Sequence, residues 1–328
     1  MQYDKPHLTI EQQLRQLSER GLQIDEGDAA RRILETVGYY RFSAYAYPFR
    51  RPIPKDVAPD TSVQFRVNSF EVGARFDWAR SLWAFDRSLR LHILDAVEAV
   101  EIALRSKIGY HLGRRDPFGH LDRTSLDTAR CARLDIEFSD RGVFDVWLDR
   151  FAHHQKKAQA EDFVQHYVEK YDSKLPVWVA TEVMEFGQLV RLFGLMRDDD
   201  QSLVSKDIAQ VSGAVFGRWM KVANYTRNLS AHHARLWNRR LTYKVGRIPD
   251  NAADLIHLNE APESRQRIYA ACVVLAFLVR AIRPEARWAA RLVELLDTFP
   301  NDLPVSPERN MGFPAGWRSL EVWSTGAA

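Results

Sequence analysis

Apolar and polar positions recur at helical spacing along most of the chain. Leu14, Leu17 and Leu22 give an apolar side to a helix that opens at Ile10, with Thr9 as its cap, Glu11 and Gln12 in its first turn and Gly21 at its end. A second helix is predicted over 28–37, stopped by Gly38. The aromatic run from Tyr39 to Phe49 reads as a core anchor in preference to an RNA-stacking platform. Residues 50–68 hold three prolines and read as a connection with a short strand near Val63–Val67. Leu82, Phe85, Leu89, Ile93, Val97, Val100, Leu104 and Ile108 then recur at intervals of three and four, which predicts one long helix over 72–112. Glu98, Glu101 and Arg105 lie together off that stripe, with Glu101 and Arg105 spaced as an i,i+4 pair.

Residues 113–142 are polar and predict a loop-rich crossing with a short helix. A helix is predicted over 144–171, and Pro176 opens the next one, interrupted at Gly187 and Gly194. Asp198-Asp199-Asp200 reads as a turn, and 218–241 as a further helix. Pro284 divides a C-terminal pair over 262–282 and 284–296. The tail from Met311 to Trp323 is irregular but aromatic and is expected to pack back onto the body. The fold class expected is all-α. An N-terminal helical cap and connection (1–68) would precede a helical core with insertions (69–300) and an irregular tail packed on that core (301–328).

The chain has 328 residues, 46% hydrophobic and 27% charged, enough to bury a core without disulfides or metals. Its two cysteines, Cys131 and Cys272, exclude a disulfide scaffold and a Cys-rich zinc site. The longest apolar run, Tyr269–Val279, is too short for a bilayer span, and the first residues lack an apolar signal core. The expectation is a soluble cytoplasmic protein with no membrane partner. Net charge is only +3, but its distribution is uneven. Residues 208–249 contain no acid and eight cations: Arg218, Lys221, Arg227, Arg235, Arg239, Arg240, Lys244 and Arg247. Removing them leaves a mildly acidic remainder. Such a segment fits a polyanion, or else a basic face answered by acids elsewhere in the fold.

No HExxH, GxSxG, paired Cys/His spacing or phosphate-binding glycine loop is present in the sequence. The informative segment is Asn224 to Arg240. On a helix, Asn228, His232, Arg235 and Arg239 would fall within about 60° of one another, with Lys221 and Asn224 extending the face backwards. Arg227 would lie about 140° from His232. An imidazole can move a proton near neutral pH, and a guanidinium can stabilise charge on a phosphoryl oxygen. RNA brings its own nucleophile, the 2′-OH, so cleavage needs no metal and no cofactor. The alternative is a half-buried histidine with a packing role.

Arg227-Asn228-Leu229-Ser230-Ala231-His232 resembles the R-(polar)-xxx-H signature of HEPN-domain ribonucleases. The wider pattern resembles the Abi-like (AbiD/AbiF-type) abortive-infection proteins of bacteria. It is carried by Lys5-Pro6 with Leu8 to Gln13 and Arg20-Gly21-Leu22; by Gly38-Tyr39-Tyr40-Arg41-Phe42 and Phe85 to Arg90; by Glu101 with Arg105 and Leu175-Pro176-Val177-Trp178; and by Arg227-Asn228, His232-His233, Trp237-Asn238 and Met311-Gly312-Phe313-Pro314. The resemblance implies an all-α HEPN core and a composite site formed by two RxxxxH motifs across a homodimer. It implies metal-independent RNA cleavage leaving a 2′,3′-cyclic phosphate and a 5′-OH. Arg227, Asn228 and His232 would be the catalytic set, and His233, Glu101 and Arg105 would support it. Lys221, Arg235 and Arg239 would bind RNA, as substrate or as a structured noncoding partner. HEPN toxins paired with nucleotidyltransferase antitoxins often carry a tyrosine two residues after the histidine. Ala234 stands there in this sequence, which argues against that scheme. A non-catalytic HEPN protein that binds RNA or a partner is the alternative.

Overall fold

The computed structural model describes residues 6–54 and 66–324. Thr9 opens α1 (Ile10–Glu19) with a capping box: its hydroxyl accepts the Gln12 N–H at 3.3 Å, and the Gln12 side chain accepts the Thr9 N–H at 2.8 Å. α2 (Gly27–Val37) stops at Gly38, whose φ of +83° turns the chain directly into α3 (Tyr39–Ala46). Phe42, Tyr45 and Phe49 from the aromatic run are buried, as a core anchor requires, whereas Tyr40 is exposed. β1 (Arg50–Pro52) pairs antiparallel with β2 (Arg66–Phe70), the sheet among the described residues. The predicted strand is met at Arg66 and Val67; its first residues, 63–65, lie outside the described residues.

α4 (Phe76–Arg115) is the axis of the molecule. Its 40 residues make a rod about 60 Å long. It starts later than the periodicity predicts because Gly73, at φ +82°, turns the chain out of β2 first. All eight residues of the predicted stripe are buried. Around the rod stand α8 (Val177–Val183), α9 (Phe186–Leu195), α10 (Asp198–Ala209), α11 (Gly213–Ala231), α12 (Ile268–Ile282) and α13 (Trp288–Asp297), together with α3. α5 (Thr128–Ala132), α6 (Val143–Lys157) and α7 (Asp162–Lys170) form a lobe whose α5 and α6 pack on α8 and α9. The fold is mostly all-α, as expected.

Several predicted boundaries move, each for a local reason. The helix expected over 144–171 is two helices, Val143–Lys157 and Asp162–Lys170, parted by a 3₁₀ turn at Ala158–Ala160 and an extended Glu161. The break expected at Gly187 falls at Met184 and Glu185, both extended, and Gly187 lies inside α9 against the Asn224 side chain. Asp198-Asp199-Asp200 is the first turn of α10, where carboxylates complement the helix dipole, and buried Asp200 accepts from Arg115 at 2.8 Å. α12 begins at Ile268, because 262–267 form turns before it. In the tail, Met311, Phe313, Trp317 and Trp323 are buried, and the Phe313 ring lies 4.6 Å from that of Tyr269. Among the described residues no helix is long and apolar enough to cross a membrane.

Candidate active site

The candidate chemistry sits on α11 and on the turn that ends it. Ser212 caps the start of the helix, accepting the Val215 N–H at 3.4 Å, and Val215, Phe216, Trp219, Met220, Val222 and Ala223 bury its inner face. The helix ends at Ala231, not at Leu241. His232 is its C-cap. The Ala234 N–H donates to the Leu229 carbonyl at 2.9 Å and the His233 N–H to the Ser230 carbonyl at 3.1 Å. That pair of bonds is a Schellman motif, which normally has glycine at the left-handed position. Here the position holds His233, at φ +56°. A side chain in that conformation costs about 1 kcal/mol.

The turn is held from inside by a buried carboxylate. Asp86 on α4 is fully buried and accepts from the Tyr45 hydroxyl at 2.6 Å, from Arg90 at 2.5 Å and from the Trp237 N–H at 2.6 Å, and it also receives the Leu236 N–H. Burial pushes the Asp86 carboxyl pKa up, while these donors pull it down. Burial, and then the Asp86 charge, push the Tyr45 hydroxyl well above its ordinary range, so it stays a donor. Arg90 also reaches the Ala234 carbonyl at 3.5 Å, and Arg41 donates to the His233 carbonyl. The segments 38–42, 85–90 and 237–238, far apart in sequence, thus converge on one turn. Asp86, Arg90 and Tyr45 are functional residues that the sequence pattern alone does not single out. The signal was a DxxxR pair set inside the apolar stripe of α4.

Placement of the predicted residues is mixed. His232 and His233 are exposed at the end of α11. Arg227, half-buried, lines a groove of about 230 Å³ on the outer face of α4, together with Leu94, Val97, Glu98, Glu101, Ile102 and Arg105. Its guanidinium donates to Asn228 Oδ1 at 3.2 Å, and no carboxylate among the described residues comes within ion-pair distance of it. Glu101 and Arg105 do enter the same groove, but Arg105 is occupied: it pairs with Glu101 and donates to the carbonyls of Thr181 and, at 2.7 Å, Met184, closing the C-terminal end of α8. Asn224 turns onto α9 instead of extending a cationic face.

Because α11 stops early, the expected stripe of Asn228, His232, Arg235 and Arg239 does not form. Arg235 lies beyond the helix and donates to the Ala44 carbonyl of α3; burial lowers its pKa. Its guanidinium braces the turn. Arg239 is exposed in the loop, off the helix face, and Lys221 is exposed on α11.

The acid-free stretch keeps its character in three dimensions. Ion pairs abound elsewhere, as between Arg75 and Asp25, Arg123 and Asp145, and Arg291 and Asp95. Among the described residues, none of the eight cations of 208–249 has a carboxylate within ion-pair distance, although the Asp86 charge acts on Arg235. The backbones of Arg240 and Arg267 pair as an isolated antiparallel bridge, and the Arg267 pKa is lowered by burial first and by the Arg240 charge second.

The sequence model of a known family, described as "Abi-like protein", matches residues 32–238. No curated protein matches the chain, and no solved structure does.

Proposed function

Because the chain belongs to the Abi-like protein family, we propose that it serves abortive infection, the bacterial response to phage, as an endoribonuclease of AbiD/AbiF type with a HEPN core. The observation that carries this reading is an exposed imidazole, His232, at the end of a helix whose Arg227, about one turn earlier, has no carboxylate partner among the described residues. The two side chains point about 140° apart on α11, so one chain does not present both to one phosphate. A twofold pairing of two chains would. The outer face of α4 beside the Arg227 groove offers apolar cover for such a contact, since Leu91 is 52% and Ile102 48% exposed.

In the proposed composite site, one His232 imidazole takes the proton of a ribose 2′-OH. The oxygen attacks the adjacent phosphorus, and the second copy's imidazole protonates the departing 5′-oxygen. Arg227 guanidinium groups offset the charge that builds on the phosphoryl oxygens. Bond making and breaking at phosphorus leaves a 2′,3′-cyclic phosphate and a 5′-OH. Asn228, bonded to Arg227, orients the guanidinium, and His233 stands beside the reacting edge. Glu101 and Arg105 act by holding α4 and α8 around the groove. RNA is the substrate, and a structured noncoding RNA is a candidate regulatory partner.

Labelled RNA incubated with purified protein in chelator tests the proposal. The expected result is cleavage that falls at least about 100-fold in His232→Ala while RNA binding persists. The unpaired cations favour one second reading, a protein that binds RNA without cutting it. Equal, slow degradation by wild type and variant would establish that reading in place of the nuclease.

A further inference from the structure

Residues 241–248 return along α11 after the turn at His232. Leu241, Val245 and Ile248 are buried, while Thr242, Tyr243, Lys244 and Arg247 face solvent. Both ends of this return are fixed: the Leu241 N–H donates to the Gln266 carbonyl at 2.8 Å, and Ile248 exchanges hydrogen bonds with the Asn259 side chain at 2.9 and 3.0 Å. The Tyr243 ring meets that of Tyr225 on α11 at 5.8 Å, edge to face. Three residues later, Gly246 lies so close to Arg218 that a Cβ there would stand 2.6 Å from the guanidinium Nε. From Tyr225 back to Arg218 is about 10 Å of helix, and three extended residues also cover about 10 Å. The loop therefore runs antiparallel to α11 and sets Lys244 alongside the turn that carries Lys221.

Arg218, Lys221, Tyr225 and His232 fall within about 60° of one another on α11. The strip from Arg218 to His232 is about 21 Å long. It is cationic on both sides, has no carboxylate within ion-pair distance among the described residues, and carries a ring at its middle. Tyr243 remains 46% exposed, so a flat group can lie on it. Duplex RNA offers phosphates but hides its base faces; an unpaired strand offers both.

We infer that the strip formed by Arg218, Lys221, Tyr243 and Lys244 is a binding track for single-stranded RNA, holding phosphates on its cations and one base on Tyr243, and leading the strand to His232. The inference rests on RNA being the substrate of the proposed nuclease; it assigns a strand type to that reading and adds Arg218, Tyr243 and Lys244 to the Lys221 already expected to bind RNA. Gly246 is part of the device, because a side chain there would displace Arg218.

The test is anisotropy titration of a labelled, unstructured 12-nucleotide RNA against the full chain carrying His232→Ala, over a series of salt concentrations. Adding Lys221→Gln and Lys244→Gln should lower the slope of log affinity against log salt by about 1.4. Adding Tyr243→Ala should weaken binding about 10-fold with the slope unchanged, and Tyr243→Phe should retain affinity. A blunt duplex of the same length should be indifferent to Tyr243. The track is overturned if the slope does not move, if Tyr243→Ala binds as its parent does, or if the duplex loses as much as the single strand. Cleavage is read separately on the His232-intact chain. Absent cleavage with these binding effects in place would remove the nuclease and leave the track. Cleavage with an unchanged KM in the lysine and tyrosine variants would remove the track and leave the nuclease.

Discussion

Inside the turn that ends α11, Asp86 gathers a hydroxyl, a guanidinium and two backbone N–H groups in a fully buried site. Outside the same turn, Lys221, Lys244 and Arg247 stand in solvent without a carboxylate partner among the described residues. The inner cluster is costly to open, because removing one partner strands the others away from water. The outer cluster gains nothing for the fold from its charges, since exposed cations without partners add little stability. The contrast separates residues that hold the histidine turn in place from residues left free to meet a polyanion.

Breaking the inner cluster should have the largest effect. Asp86→Ala leaves Arg90 as an uncompensated buried cation and orphans the Leu236 and Trp237 N–H groups, so denaturant titration should show a loss of about 3–5 kcal/mol. A second buried polar group sharpens the point from the other side. His120 is buried against Trp147 and Phe151 with no partner for either ring nitrogen among the described residues, and burial pushes its pKa down to about 4. Its unfolded value is near 6.5, so the unfolded chain binds the extra proton first. Stability should be full above pH 6.5, fall by about 3 kcal/mol between pH 6.5 and 4, and level off below that. His120→Phe should remove its share of that fall from a pH–stability curve, and an unchanged curve would contradict the assignment. His92 adds acid sensitivity in the same window, since burial also lowers its pKa to about 4.

At the boundary between the clusters, His233→Gly should raise stability by about 1 kcal/mol by relieving the left-handed backbone. A loss on the same substitution would mean that the His233 side chain contributes contacts outweighing the strain. In the outer cluster, Lys221→Gln with Lys244→Gln should change stability by less than about 0.5 kcal/mol. A larger loss would show these lysines to be structural and would dissolve the contrast.

Much of the helical order was legible because α4 repeats its apolar residues without interruption and because Thr9, Gly38, Pro176 and Pro284 mark ends by local chemistry. The end of α11 was not legible. Leu236, Trp237 and Leu241 continue a helix-like spacing past His232, yet the chain leaves the helix through a Schellman turn with histidine where glycine is usual. That exit depends on Asp86 and Arg90, more than a hundred residues away, and a local pattern does not report such a partner. The same distance explains Arg235, which reads as a surface cation and is committed to the Ala44 carbonyl. The acid-free stretch was visible as composition, whereas its return along α11 required the Tyr225–Tyr243 contact and the Gly246–Arg218 approach to be seen.

In the proposed nuclease, the exposed imidazole at the end of α11 moves the proton that cuts RNA. Mass spectrometry of the RNA ends produced in chelator reads that step. Wild type should give 2′,3′-cyclic phosphate and 5′-OH ends, and His232→Ala should leave the RNA intact. Ends bearing 3′-OH and 5′-phosphate, or the same fragments from both proteins, would overturn the proposal.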